Sequence, residues 1–158
     1  MRLMRRAALL FASGFGAGYC PVASGTVASA LAVPIYFLIL HPLNRPGWAL
    51  AGYGAVVAGL FAAGVFASAE AERVLQRKDP HFVTIDEIVG YFFCLVLAPI
   101  TWRTVAASFL LFRLFDVWKP WPIRRLQSIR GGLGIMIDDV AAGACAWAAL
   151  RLGLWLCS

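Results

Sequence analysis

Between Gly47 and Ala69 the chain reads GWALAGYGAVVAGLFAAGVFASA, a stretch of 23 residues without a charge. As a helix rising 1.5 Å per residue it measures about 34 Å, enough to cross a hydrocarbon core of ~30 Å. It has no polar side to offer water, and in lipid a single segment satisfies its own backbone only as a helix. A second run, SGTVASALAVPIYFLIL (Ser24 to Leu40), stops at HPLNRPG, where two prolines and a glycine break the chain before the next helix. The polar segment Glu70 to Glu87 continues the second helix to about Lys78, stops at Asp79-Pro80, and cannot lie in lipid. From Ile88 to Phe112 the chain is apolar again, interrupted by APITWRT, and the pattern predicts a helical hairpin of two short arms. A last apolar helix runs from about Gly134 to Leu156.

These segments predict an all-α, polytopic helical membrane protein with about five membrane helices, residues 1–158 forming one membrane-embedded domain. The composition agrees, with 61% hydrophobic and 14% charged residues, far from soluble averages. The net charge of +6 raises nucleic acid as a partner, but the basic residues fall in short clusters between apolar runs, a pattern that suits anionic lipid. Cys20, Cys94, Cys145 and Cys157 show no CxxC or CxxH spacing and read as packing thiols. The N-terminal segment has a basic start, but its apolar stretch is short and glycine-rich and no convincing A-x-A cleavage site follows it, so it is expected to be retained. Arg2, Arg5 and Arg6 precede the first span, Arg73, Arg77 and Lys78 follow the second, and Lys119, Arg124, Arg125 and Arg130 follow the hairpin. The positive-inside rule then puts all three clusters in the cytoplasm, with Arg45 and Arg103 on the far side.

In this topology Asp86 and Glu87 open the third helix, Asp116 closes the fourth, and Asp138 and Asp139 open the fifth, so five of the eight acidic residues meet at one face. Carboxylates gathered so closely repel one another unless a cation joins them. With no His or Cys at ligand spacing the donors are oxygens, which suits magnesium first, then manganese or calcium. Arg113, one turn before Asp116, and Lys119, Arg124 and Arg125 after it add the forks and charges that hold a phosphate. Acids, a divalent ion and basic groups at a headgroup layer suit phosphoryl chemistry on a lipid, of which hydrolysis is the simplest form.

Each feature also has a plainer reading. The acids of the third and fifth helices could cap them, Arg113 and Asp116 could be an ordinary i, i+3 pair, and Thr26 and Ser29 could be packing hydroxyls. A magnesium or other cation transporter would use the same acids as a pathway, at mid-membrane depth. A membrane scaffold would tolerate their replacement.

The blocks VTIDEIVGY (Val83 to Tyr91), FRLFDVWKPWPI (Phe112 to Ile123) and GGLGIMIDDVAAG (Gly131 to Gly143) resemble the signature blocks of the phosphatidylglycerophosphatase A family, and GFGAGYCPVASGTVAS (Gly14 to Ser29) is similar to its opening block. Ser24 stands where the family pattern has a proline. The resemblance covers nearly the whole chain. It implies a magnesium-dependent phosphatase of the bacterial inner membrane that converts phosphatidylglycerophosphate to phosphatidylglycerol and inorganic phosphate, a step of phospholipid biosynthesis. The family's acidic positions match Asp86, Glu87, Asp116, Asp138 and Asp139, its basic positions Arg113 and Lys119, and its GT block Gly25 and Thr26. The roles expected are magnesium binding or water activation by Asp86, Glu87, Asp138 and Asp139, and a ligand or base at Asp116. Arg113, Lys119 and Thr26 are expected on the phosphate, and Arg124 joins them as part of the basic run. No nucleic acid is expected, and oligomeric state is not legible.

Overall fold

The computed structural model describes residues 2–157; Met1, Ser158 and the side chain of Arg2, counted above among the basic residues, lie outside the described residues. Among these the regular elements are all helical: α1 (Arg2–Ala12), α2 (Ser24–Ile35), α3 (Trp48–Leu75), α4 (Ile85–Cys94), α5 (Trp102–Trp118), α6 (Ile123–Leu126) and α7 (Gly132–Leu156). Three stretches are long and apolar enough to cross a membrane: Ser24–Leu43, Trp48–Leu75 and Gly132–Leu156. The helical membrane class is therefore the one predicted.

The arms of the predicted hairpin are shorter than these three stretches. At ten and seventeen residues, α4 and α5 measure about 15 and 25 Å against a core of ~30 Å. The expected five spans thus become three long helices with two shorter ones packed among them. The second long helix also ends at Leu75, short of Lys78, because Gln76 turns left-handed at φ 51°. In α2, Pro34 lacks an N–H and crowds the preceding turn; the chain then widens into a π turn over Tyr36–Leu40 before the 3-10 turn His41–Leu43.

The shortest of these membrane helices is the most buried. Ile85, Ile88, Val89, Tyr91, Phe92 and Cys94 of α4 are all inside, as expected of a helix apolar on every side. It crosses α7 at a pair of glycines. A Cβ on Gly90 would lie 2.6 Å from the Asp139 carbonyl oxygen, and one on Gly143 would collide with the carbonyl of Gly90. The backbones therefore meet without intervening side chains.

A helix that stops after ten residues inside an apolar surround strands its last carbonyls. Here side chains of other segments meet the carbonyl of Phe92 in its last turn and those of Leu95 and Val96 just past its end. Tyr53 Oη donates to the Phe92 carbonyl at 2.5 Å, Asn44 Nδ2 to that of Leu95 at 2.7 Å, and Trp147 Nε1 to that of Val96 at 2.9 Å. Asn44 Oδ1 in turn accepts from the Leu97 amide at 2.6 Å. These bonds let α4 end within the protein while its first turn stays at the level where acids and bases gather.

Candidate active site

Three helices deliver the acids. Asp86 and Glu87 lie in the first turn of α4, near the positive end of its dipole, and the Thr84 amide before them donates to the Ala12 carbonyl at 2.9 Å, pinning this end of α4 to the end of α1. Asp138 and Asp139 are the seventh and eighth residues of α7, 3% and 2% exposed. They stand two turns inside the helix, too deep to cap it. Asp116 comes from the last turn of α5, beside Arg113.

Lys119 joins these groups. Pro120 disfavours a right-handed helical conformation at the residue before it, and Lys119 takes φ 42° and ψ 64°, closing α5. Its ammonium sits 2.6 Å from Asp138 Oδ2, 3.2 Å from Asp139 Oδ1 and 3.6 Å from Asp116 Oδ1. Burial alone would pull its pKa down, but Asp139, Asp138 and Asp116 outweigh that and hold it above the ordinary lysine value. Lys119 is therefore the fixed counter-ion of α7. Arg113 Nη1 pairs with Asp116 Oδ2.

The remaining carboxylate oxygens are not covered in this way. One oxygen each from Asp86, Glu87 and Asp139 lie within 4.8 Å of one another, and Asp86 Oδ1 and Glu87 Oε2 are buried without a hydrogen-bond partner. Five carboxylates against Arg113 and Lys119 leave an excess of negative charge that a proton or a cation must offset. An oxygen-only donor set with buried, unpartnered oxygens fits a hard divalent cation. Asp138, expected as a fourth ligand, is engaged instead with Lys119 and with the Asp139 amide, which its Oδ1 accepts at 3.1 Å.

The start of α2 closes the other side. A Cβ on Gly25 would collide with Glu87 Oε1 and come within 3.1 Å of Arg113 Nη1. Only a glycine lets the first turn of α2 approach so closely, and the amides of that turn have no acceptor within the helix. Thr26 is the next residue, half-buried. Ser29 Oγ donates back to the Gly25 carbonyl at 2.8 Å, an ordinary intrahelical bond. Arg124 stays outside the ion-pair network; it is exposed and lines an open groove of about 460 Å³ with Lys119, Trp121 and Arg125.

Two contributions went unread in the sequence. Gly90 and Gly143, each about one turn beyond an acid, set the α4–α7 crossing that brings Glu87 to Asp139; a small residue one turn from an acid in both VTIDEIVGY and IDDVAAG was the available signal.

Known proteins carry the same pattern. The sequence model of the phosphatidylglycerophosphatase A family matches residues 10–154. Phosphatidylglycerophosphatase A of Escherichia coli (strain K12) is 38% identical over 136 residues, 85% of this chain and 76% of that protein. Phosphatidylglycerophosphatase A of Haemophilus influenzae is 33% identical over 139 residues, 87% of this chain and 82% of that protein. A Bacteroides thetaiotaomicron protein, provisionally named as a phosphatidylinositol-3-phosphatase, is 35% identical over 155 residues, 94% of each chain. No solved structure matches. With a family match over almost its full length and the family's acidic and basic positions gathered at one site, this chain belongs to the phosphatidylglycerophosphatase A family.

Proposed function

We propose that the chain hydrolyses the terminal phosphate monoester of phosphatidylglycerophosphate, giving phosphatidylglycerol and inorganic phosphate, with residues 1–158 acting as one domain in the bacterial inner membrane and the site facing the cytoplasm. The observation that carries the reading is the buried Asp86–Glu87–Asp139 cluster set beside Arg113 and Lys119. Two relatives bear the name of this phosphatase. A cation pathway is not favoured, because Asp116, Asp138 and Asp139 are paired with Arg113 or Lys119 and all five acids gather at one level, in the first turn of α4, the last of α5 and the first half of α7, rather than along a route through the membrane.

In this mechanism Asp86, Glu87 and Asp139 would hold magnesium, which when bound would supply Lewis-acid polarisation of the phosphoryl oxygen. Arg113, with the first-turn amides of α2 and Thr26, binds phosphoryl oxygens and orients the phosphorus. A water oxygen bonds to phosphorus as the bond to the glycerol oxygen breaks. The water's proton passes to a carboxylate of the cluster, and that carboxylic acid gives it back to the departing alkoxide, which leaves as the alcohol. Asp116 orients Arg113, while Lys119 fixes Asp138 and Asp139 and offsets their charge. Arg124, on the exposed groove, meets the headgroup before it reaches the site.

Phosphate release by purified protein in detergent should require magnesium, stop with excess chelator and return when magnesium is restored. A phosphorylated inositol lipid, assayed in parallel, should be the poorer substrate. Folded protein that releases no phosphate but passes cations across liposomes would replace this reading with the transporter.

The α2 approach supplies a second test. Gly25→Ala puts a methyl group against Glu87 and Arg113 and should lower kcat by about tenfold or more through misplacement of the reacting groups, with little change in the unfolding temperature. An unchanged kcat would remove this turn of α2 from the site.

A further inference from the structure

An apolar groove of about 780 Å³ runs between α2 and α5. On the α2 side its wall is Ala30 and Pro34, with Phe37 of the π turn that follows; on α5 it is Trp102, Ala106 and Leu110. Both stripes lead to the site. On α2, Thr26 lies one turn before Ala30 on the same face, and on α5, Arg113 lies three residues past Leu110 on the same face. The two helices meet there, where Gly25 approaches Arg113.

The distance from the site to the far end of the groove points to its occupant. From Thr26 to Phe37, and from Arg113 back to Trp102, eleven residues span about 16 Å, roughly half of a ~30 Å hydrocarbon core. That is the depth of one leaflet, measured from the phosphate site inward. A second apolar cavity, of about 360 Å³ between α3, α4 and α7, has no such connection. Its wall on α7 is Ile137 and Val140, which at about 100° per residue face away from Asp138 and Asp139.

We infer that the α2–α5 groove holds one acyl chain of the phospholipid substrate and so sets the depth at which the phosphate meets Arg113; this rests on the phosphatase reading. Lipid tails are as apolar as the groove, so transfer into it carries no hydrophobic gain. What the groove adds is alignment. A chain lying between the two stripes brings its own headgroup to the first turn of α2, and small side chains at Ala30 and Ala106 leave room for it.

The test compares hexanoyl and oleoyl forms of phosphatidylglycerophosphate in mixed micelles, using wild type, Ala30→Trp, Ala106→Trp and, as a control on the exposed side of α3, Ala62→Trp. Positions 30, 106 and 62 are all exposed, so the tryptophans need not disturb the interior. The wild-type preference in kcat/KM for the oleoyl lipid should fall roughly ten- to a hundredfold in Ala30→Trp and Ala106→Trp, the range expected when a reacting group is misplaced by about 1 Å, and persist in Ala62→Trp. A preference unchanged in both groove variants, or lost equally in the control, overturns the groove as a tail site while leaving the phosphatase in place. Wild type inactive on both lipids overturns the phosphatase reading itself.

Discussion

Glutamine in place of Glu87 should lower kcat by about 10²–10⁴-fold, the range expected when an acid–base group is removed, without unfolding the protein. The amide keeps the volume of the side chain beside Gly25 and removes only its charge. That charge stands among Asp86 and Asp139 with one oxygen buried and unpartnered. Removing a carboxylate from a group of mutually repelling carboxylates relieves repulsion, so the unfolding temperature of metal-free Glu87→Gln should equal or exceed that of wild type. Loss of turnover with undiminished stability is a combination that a purely structural glutamate would not give. Steady-state kinetics on phosphatidylglycerophosphate, paired with thermal unfolding in detergent and chelator, measures both. Near-normal kcat would remove Glu87 from the site.

Lys119→Met should act in the opposite sense and destabilise the fold by about 3–5 kcal/mol, the cost of breaking a buried ion pair and leaving its partners uncompensated. The ammonium is close to Asp138, Asp139 and Asp116 at once, and methionine fills its volume without its charge. The pH dependence follows from the raised pKa of Lys119. A lysine whose folded pKa lies above the unfolded value of about 10.4 contributes in full below that value and loses its contribution only as pH rises through the folded pKa. The deficit from this lysine should thus be undiminished throughout the neutral range. Adding Asp138→Asn to Lys119→Met should recover part of the loss, because one of the stranded charges is then gone. Chemical unfolding of the four proteins of this cycle supplies the coupling; strict additivity would dissociate Lys119 from Asp138.

Much of this site was legible because electrostatics is visible in composition. Charges in an apolar chain are costly, so the few acids at Asp86, Glu87, Asp116, Asp138 and Asp139 stood out, and helix periodicity sufficed to align them with Arg113 and Lys119. A basic run does not say which members point inward, and Arg124 lies on the exposed groove beside the ion-pair network. Composition also reads Asp138 and Asp139 alike; neighbours in sequence on a helix differ by about 100° in direction, and only packing decides which partner each one meets.

Helix count shows the same division. Hydropathy reads the total apolar length, and it correctly marked the chain from Ile88 to Phe112 as apolar; it cannot tell a helix that faces lipid from one enclosed by other helices. The ten residues of α4 are enclosed, and they can stop short because Tyr53, Asn44 and Trp147, from segments 39 to 51 residues away, meet the carbonyl of Phe92 and those of Leu95 and Val96 just past the helix. The sequence by itself determined the helical membrane class, the family and the set of charged residues, each carried by local composition and spacing. Tertiary structure alone decided that Gly90 and Gly143 bring two backbones together, that Gly25 lets α2 approach Glu87, and that α2 and α5 enclose an apolar groove ending about one turn from Thr26 and Arg113. Those are close approaches between segments far apart along the chain, and no local pattern encodes a distance of that kind.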